Sequence, residues 1–478
     1  MYIGLDLGTS GLKGVLIDDR QRVLAEATAP LTVQRPREGW SEQAPADWIA
    51  AAEAVLTELA VQDLSAVRGI GLSGQMHGAV ALDGADNVLR PAILWNDTRS
   101  HVEAAALDAD PRFRAITGNI VFPGFTAPKL VWMGKHEPDL RAKVAKVLLP
   151  KDYLRLWLTG DHVAEMSDAA GTSWLDTGAR DWSDDLLAAT GLTRENMPRL
   201  VEGSEVSGTL RGELAAKWGL PQGVVIAGGG GDNAASAVGV GVVRAGEAFV
   251  SLGTSGVLFA ANDGYQPDAA TAVHTFCHSL PGAWHQMGVI LAATDALNWY
   301  ARLVGEGASG LTSGLGDLRA PGKGLFLPYL GGERTPLNDA AIRGALLGLE
   351  HATDREAGTR AVLEGVTFAI RDCRDALAAT GTRLDKLIAV GGGSRSDYWL
   401  RMIATALDVP VLLPAAGDFG GAFGAARLAL MAATGAGTDV LTLPPIAREF
   451  APDAALTAAF NAGHERYCAA RDALRAMG

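Results

Sequence analysis

Cysteine is scarce in this sequence: Cys277, Cys373 and Cys468 are the only three among 478 residues. They are too few and too scattered for a disulfide framework or a cysteine-rich zinc site, which fits a reducing cytoplasm. Excess positive charge is missing as well. With 41 basic against 54 acidic residues the formal net charge is -13, which argues against nonspecific binding to nucleic acid or to an anionic membrane. Any phosphate site must then be local. No basic segment followed by an apolar stretch and a small-residue cleavage site opens the chain, so no secretory signal is expected. Nor is a membrane span expected: the most apolar long window, residues 224–243, is broken by four consecutive glycines and carries Asp232. Neither the P-loop spacing nor a Rossmann G-x-G-x-x-G in its usual setting occurs.

What the sequence does have begins at Ile3–Ile17, IGLDLGTSGLKGVLI, two apolar strand-like runs joined by a turn of glycines and hydroxyls. Asp6 stands where the first strand ends. Glycines let the backbone come close to a ligand, and the amides and hydroxyls of Thr9 and Ser10 can donate to phosphate oxygens, with Lys13 adding a positive charge. A structural hairpin would look the same, so the neighbours decide. The device recurs half a chain later in SLGTSGVLF, where Gly253, Thr254 and Ser255 stand where Gly8, Thr9 and Ser10 stood. Two such hairpins predict two domains of similar fold, residues 1–241 and 242–478, facing each other across a phosphate-bearing ligand. Ser251 replaces Asp6 in the second copy. The turn therefore does not require the carboxylate, which favours a metal or catalytic role for Asp6.

Along the chain, residues 1–35 predict an antiparallel meander, followed by a helix capped by Asp47 that runs to about Ala60 and a short strand over 67–72. Strands, helix, strand is the order of a mixed sheet flanked by helices. Polar and aromatic segments between 71 and 176, among them GFTAPKLVWM and LLPKDYLRLWLTG, read as loops around a cleft. His77, between an apparent strand and a glycine, either reaches a ligand or satisfies the core. Trp95, Asn96 and Asp97 form either an aromatic wall with two sugar-binding polar groups or a strand end and turn. Glu333 and Arg334 are either a structural pair or part of the cleft lining, and the structural reading is preferred. Two further glycine stretches follow apolar runs and precede helical patterns: GGGGDNAASAVGVG from Gly228, and VGGGSRSDYW from Val390. Asp232 is either a helix cap or a catalytic group, and catalysis is preferred because a cap needs no four glycines ahead of it.

Taken together, two hairpins and two glycine-led helices resemble the sugar kinases of the actin, hexokinase and Hsp70 superfamily, specifically the FGGY carbohydrate kinases. The closer match is to their xylulokinase branch, carried in order by MYIGLDLGTSGLKG, GLSGQMHGA, RPAILWND, PGFTAPKL, VLLPKDYLR, MSDAAGTSWLD, GGGGDNAA, SLGTSGV and VGGGSRSDYW. Glycerol kinases of the family typically carry Arg-Glu after the glutamine where this chain has Met76 and His77 after Gln75, which disfavours glycerol. The resemblance implies an α/β chain of two ribonuclease H-like domains, an actin-like ATPase fold with an interdomain cleft. It further implies ATP and Mg²⁺ as cofactors and D-xylulose as substrate, with no nucleic-acid or membrane partner; a homodimer is left open. Asp232 would be the catalytic base and Asp6 would hold Mg²⁺. Gln75, Met76, His77, Trp95, Asn96, Asp97 and Asn233 would surround the sugar, while Thr9, Ser10, Lys13, Gly253, Thr254, Gly392, Gly393 and Ser396 would hold the nucleotide. A kinase for another ketose, or an Hsp70-like ATPase, is the alternative.

Overall fold

The computed structural model describes residues 1–415 and 419–477. The meander forms as expected: β1 (Tyr2–Leu7), β2 (Gly11–Ile17) and β3 (Val23–Pro30) pair antiparallel in sequence. Parallel to β1 lies β4 (Gly69–Gly74), and parallel to that lies β5 (Val225–Ala227), giving the order β3-β2-β1-β4-β5 with an edge strand at Val206–Thr209. The second half repeats this order. β6 (Gly246–Leu252), β7 (Gly256–Asn262) and β8 (Trp284–Ile290) make an antiparallel meander, with β9 (Leu384–Val390) and β10 (Val411–Pro414) parallel on the other side of β6. These are two ribonuclease H-like sheets. The duplicated Leu-Gly-Thr-Ser-Gly turns occupy the same place in both, between the first two strands of each.

Alternation along β1 explains how the first sheet is covered. Ile3, Leu5 and Leu7 are buried with Trp48, Ala52, Val55, Leu56 and Leu59 of the helix Pro45–Leu59. That helix starts at Pro45 rather than being capped by Asp47: Ala44 is its N-cap without a side-chain bond, and a proline at the first helical position forfeits no hydrogen bond. The opposite face is smoothed by glycine. A Cβ on Gly4 would stand 1.8 Å from the Ala422 carbonyl oxygen, and one on Gly71 1.9 Å from that of Ala425. The helix Gly421–Thr434, which comes from the second half of the chain, therefore lies directly on the first sheet. The C-terminal helix Thr457–Met477 instead buries Phe460 and Tyr467 in the core of the second sheet.

Two segments expected as loops are helices, Thr126–His136 and Pro150–Thr159. Lys129, Lys151, Asp152 and Arg155 are all fully buried within them. Charged residues on the inward face break the apolar periodicity by which a helix is recognised. A core containing Met76, Phe125 and Trp174 from the first half and Phe276, Met287 and Ile388 from the second joins the halves. Among the described residues, no helix is long and apolar enough to cross a membrane.

Candidate active site

Three chain segments end side by side at the first sheet. In register, Asp6 of β1 is opposite Ser73 of β4, and Ser73–Gly74 pair in turn with Gly230–Gly231. The Ser73 hydroxyl donates to Asp6 Oδ1 at 2.8 Å. Asp232 follows immediately as the first residue of the helix Asp232–Gly239, whose N-cap is Gly231. The capping alternative thus fails, because the cap position belongs to a glycine. Asp232 Oδ1 accepts from the Asn233 amide at 2.7 Å and from Asn233 Nδ2 at 3.0 Å, while Oδ2 has no hydrogen-bond partner among the described residues. Burial, and next the charge of Asp6, push its carboxyl up to about 6; the Asn233 bonds pull the other way. The carboxylate is recessed yet keeps a path to solvent. One oxygen anchored and one open, beside a second carboxylate, is an arrangement that can accept a proton from a bound hydroxyl.

Met76 lies against this turn, since a Cβ on Gly231 would stand 2.9 Å from both Met76 Cγ and Sδ. Next to it, His77 adopts a left-handed φ of 69° and stacks on Phe125 with ring centroids 4.5 Å apart. Its Nδ1 lies 2.7 Å from the Gly171 carbonyl oxygen. Burial pushes its pKa down to about 3, so the ring is neutral. Nδ1 therefore carries the proton and donates to that carbonyl, which leaves Nε2 as an acceptor suited to a hydroxyl. Trp95 is 48% exposed, as a wall that stacks on a ligand would be. Its Nε1 donates to Thr9 Oγ1 at 3.0 Å, and Thr9 donates to Oε1 of buried Gln75 at 3.0 Å. Asn96 Oδ1 is buried with no hydrogen-bond partner among the described residues.

Asp97 departs from expectation. Its carboxylate accepts the Arg99 guanidinium at 2.7–3.0 Å and the Ser41 amide at 2.6 Å, with the side chain 0% exposed. Every lone pair that could meet a sugar is used to hold the loop, so Asp97 is an anchor and not a ligand. Lys13 lies cross-strand from Asp6 but also reaches Glu26 on β3 at 2.9 Å. Ser10 is exposed at the hairpin tip.

The second hairpin meets the third glycine stretch. A Cβ on Gly393 would stand 2.8 Å from that of Leu252, and Gly391 has a φ of 87° with its Cβ position 2.8 Å from the Leu252 carbonyl oxygen. These two glycines let the loop close on the base of the β6–β7 turn, while Gly392 faces open space. Ser396 caps the helix Asp397–Leu407 by accepting from the Trp399 amide, so its hydroxyl is partly engaged. The Gly253 carbonyl accepts the Thr294 amide at 2.9 Å and hydroxyl at 2.7 Å, leaving the Thr254 side chain exposed at the tip. A cavity of about 650 Å³ lies between the halves, lined by Ser236 and Val240 from the first and by Gly391, Ser394, Arg395 and Phe419 from the second. Sites for small molecules span roughly 300–1,000 Å³.

Comparison with known proteins identifies this arrangement. The family profile for the N-terminal domain of the FGGY family of carbohydrate kinases matches residues 1–239, and that for the C-terminal domain matches residues 248–433. The chain belongs to the FGGY family of carbohydrate kinases. A crystal structure of a xyloylose kinase from Brucella ovis superposes with a TM-score of 0.99 at 62% identity, covering 100% of both chains. A xylulose kinase from Escherichia coli is 47% identical over 98% of each chain, and one from Klebsiella pneumoniae is 48% identical over 90% of each.

Sequence reasoning missed what lies beneath Asp232 in this FGGY kinase. Lys151, Asp152, Glu165 and Asp168 are 0% exposed, and Lys151 Nζ stands 2.8, 3.7 and 3.5 Å from the three carboxylates. Glu165 Oε1 accepts the Gly231 amide at 3.1 Å, one residue before Asp232, and burial pushes the carboxyls of Glu165 and Asp168 up. The signal was present as charges inside MSDAAGTSWLD and LLPKDYLR. Without the fold, nothing marked them as one cluster.

Proposed function

We propose that this FGGY kinase transfers the γ-phosphoryl group of MgATP to the 5-hydroxyl of D-xylulose. The carrying observation is Asp232, a recessed carboxylate with one anchored and one unbonded oxygen, in a chain whose full length resembles proteins named xylulose kinases. Oδ2 accepts the proton of the attacking hydroxyl. Because the phosphoryl-transfer transition state is loose, holding that hydroxyl in line matters as much as basicity. Met76, His77 Nε2, Trp95 and Asn96 line the sugar's side of the cleft. The two hairpin turns with Thr9, Ser10 and Thr254 face the phosphates, and Gly392 with the adjoining cavity takes the nucleoside.

The residues fit a magnesium ion. Asp6 and Asp232 are hard oxygen donors close enough for the charge of one to raise the pKa of the other, and a Cβ at Gly421 would stand 2.8 Å from Asp6 Oδ2. Glycine at 421 spares Asp6 Oδ2 a side-chain clash, and one or two carboxylates beside retained waters are the donor set that Mg²⁺ takes. Bound there, the ion would neutralise charge on the β- and γ-phosphates.

A coupled ADP-release assay over a panel of ketoses tests the substrate. D-xylulose should give the highest kcat/KM; ribulose or a deoxyhexulose giving a higher one would move the assignment to another ketose.

A further inference from the structure

The turn Glu333–Arg334 reaches from the second half to Phe122 of the first, and the two side chains do not pair. Glu333 Oε1 accepts the Leu291 and Arg334 amides at 2.9 and 2.8 Å, and no ion pair joins the side chains. The Glu333 carboxyl is pushed up to about 8 by burial, so at neutral pH it supplies little compensating charge. The Arg334 guanidinium is recessed, and among the described residues no side chain or carbonyl accepts from it. Its Cζ lies 4.6 Å from the Phe122 ring centroid, and its charge lowers the pKa of both His77 and His274. The Phe122 ring offsets part of the desolvation cost of this recessed cation, and its five donors stay available to a ligand.

A chain of contacts relates this guanidinium to the base. Met76 packs on Gly231 beside Asp232; His77 stacks on Phe125 at 4.5 Å; Phe125 meets Phe122 at 5.6 Å, under Arg334. Trp95 borders the same loop, because a Cβ on Gly124 would stand 2.2 Å from its carbonyl oxygen. We propose that Arg334 is a specificity-determining residue that donates to the oxygens at the C1–C2 hydroxyketone end of the sugar while Asp232 receives the hydroxyl at the other end. This rests on the ketose kinase reading above. The planar fork matches two neighbouring oxygens, one carbonyl and one hydroxyl.

The test compares wild type with Arg334→Ala and Arg334→Lys on D-xylulose and on 1-deoxy-D-xylulose, which lacks the C1 hydroxyl. Hydrogen bonds to a charged group imply a rise in the sugar KM of about 10- to 100-fold in the alanine variant. The change in kcat should be smaller, ATP affinity should hold, and Lys should fall between. Wild type should prefer D-xylulose over the deoxy sugar, and Arg334→Ala should lose that preference. Methylguanidinium added to the alanine variant should recover part of the loss. A variant with wild-type thermal stability and ATP affinity but an unchanged sugar KM overturns the proposal. So does a raised KM with the preference between the two sugars intact. If the alanine variant does not fold, the lysine variant decides by the same comparison. Should wild type reject D-xylulose altogether, the substrate assignment fails by itself; the variants are then compared on the sugar accepted and its C1-deoxy form, and an unchanged KM there overturns the role of Arg334.

Discussion

Trp95 donates its indole N–H to Thr9: the Nε1 to Oγ1 distance is 3.0 Å, and the Thr9 hydroxyl donates in turn to Gln75 Oε1 at the same distance. The chain continues, with Gln75 Nε2 and Trp48 Nε1 both donating to Gln43 Oε1 at 3.0 Å. A residue of the first glycine turn thereby fixes Trp95, the wall of the proposed sugar side. Thr9→Val keeps the shape but leaves Gln75 Oε1 buried and unpaired, a cost of about 1–3 kcal/mol. Urea unfolding followed by tryptophan fluorescence should register it, and the sugar KM should rise as Trp95 loosens. Unchanged values for both would make the chain incidental.

Asp232→Asn preserves size and the helix start but cannot take a proton, so kcat should fall about 10²- to 10⁴-fold with little change in ATP affinity. The wild-type pH profile carries a second signature. An acid whose pKa is raised to about 6 is protonated below that value and cannot serve as base, so kcat/KM should fall as pH drops through 6. Above 6 the base is fully available. The limb should disappear from the residual activity of the variant, and its persistence there would assign it to another group.

Asp6→Ala should weaken productive use of MgATP more than sugar binding, because the role proposed for Asp6 is at the metal and the phosphates. Calorimetric titration separates the two affinities. The activity curve against Mg²⁺ should shift to higher concentration; an unshifted curve would remove Asp6 from the metal site.

Lys151→Met removes the one ammonium among three buried carboxylates. Leaving buried charge uncompensated costs about 3–5 kcal/mol, so a marked fall in thermal stability is expected. Activity per folded molecule should fall as well, because Glu165 in that cluster holds the Gly231 amide. Stability equal to wild type would mean that the carboxyls already carry their own protons.

What the sequence made legible follows from locality. Asp6, the paired hairpins and the helix behind Asp232 are short-range features, written in consecutive glycines and strand-like runs, and the absence of an acid at Ser251 already separated Asp6 from the needs of the turn. Asp97 was misjudged because its neighbour Trp95 faces outward, whereas its own partners Arg99 and Ser41 are set by the folded loop. The helix Gly421–Thr434 crosses to the first sheet for a reason visible only in space, the bare faces of Gly4 and Gly71. Glu333 and Arg334 read as a pair because opposite charges stood side by side, yet their side chains are directed apart.

The last prediction concerns closure. Asp6 and Asp232 belong to the first half and Thr254 and Gly392 to the second, so ATP and sugar must be gripped from both sides. Water admitted to that cleft would compete with the sugar hydroxyl for the γ-phosphoryl group, and closing excludes it. The connection between the halves is short: the helix Asp232–Gly239 ends and β6 begins at Gly246, with Gly241 at φ 73° and Gly246 at φ 87°. Backbone at positive φ is tolerated there by glycine alone at low cost, which makes this stretch the expected hinge. Small-angle scattering on the free enzyme, on each singly bound form and on the form with sugar and a nonhydrolysable nucleotide should give the smallest radius of gyration for the last. Replacing Gly241 with Ala should strain the hinge and lower kcat without altering the Asp232 acid limb. Identical scattering in all four forms, with full activity in the same buffer, would mean that the site is preformed and that water is kept out by the bound sugar itself.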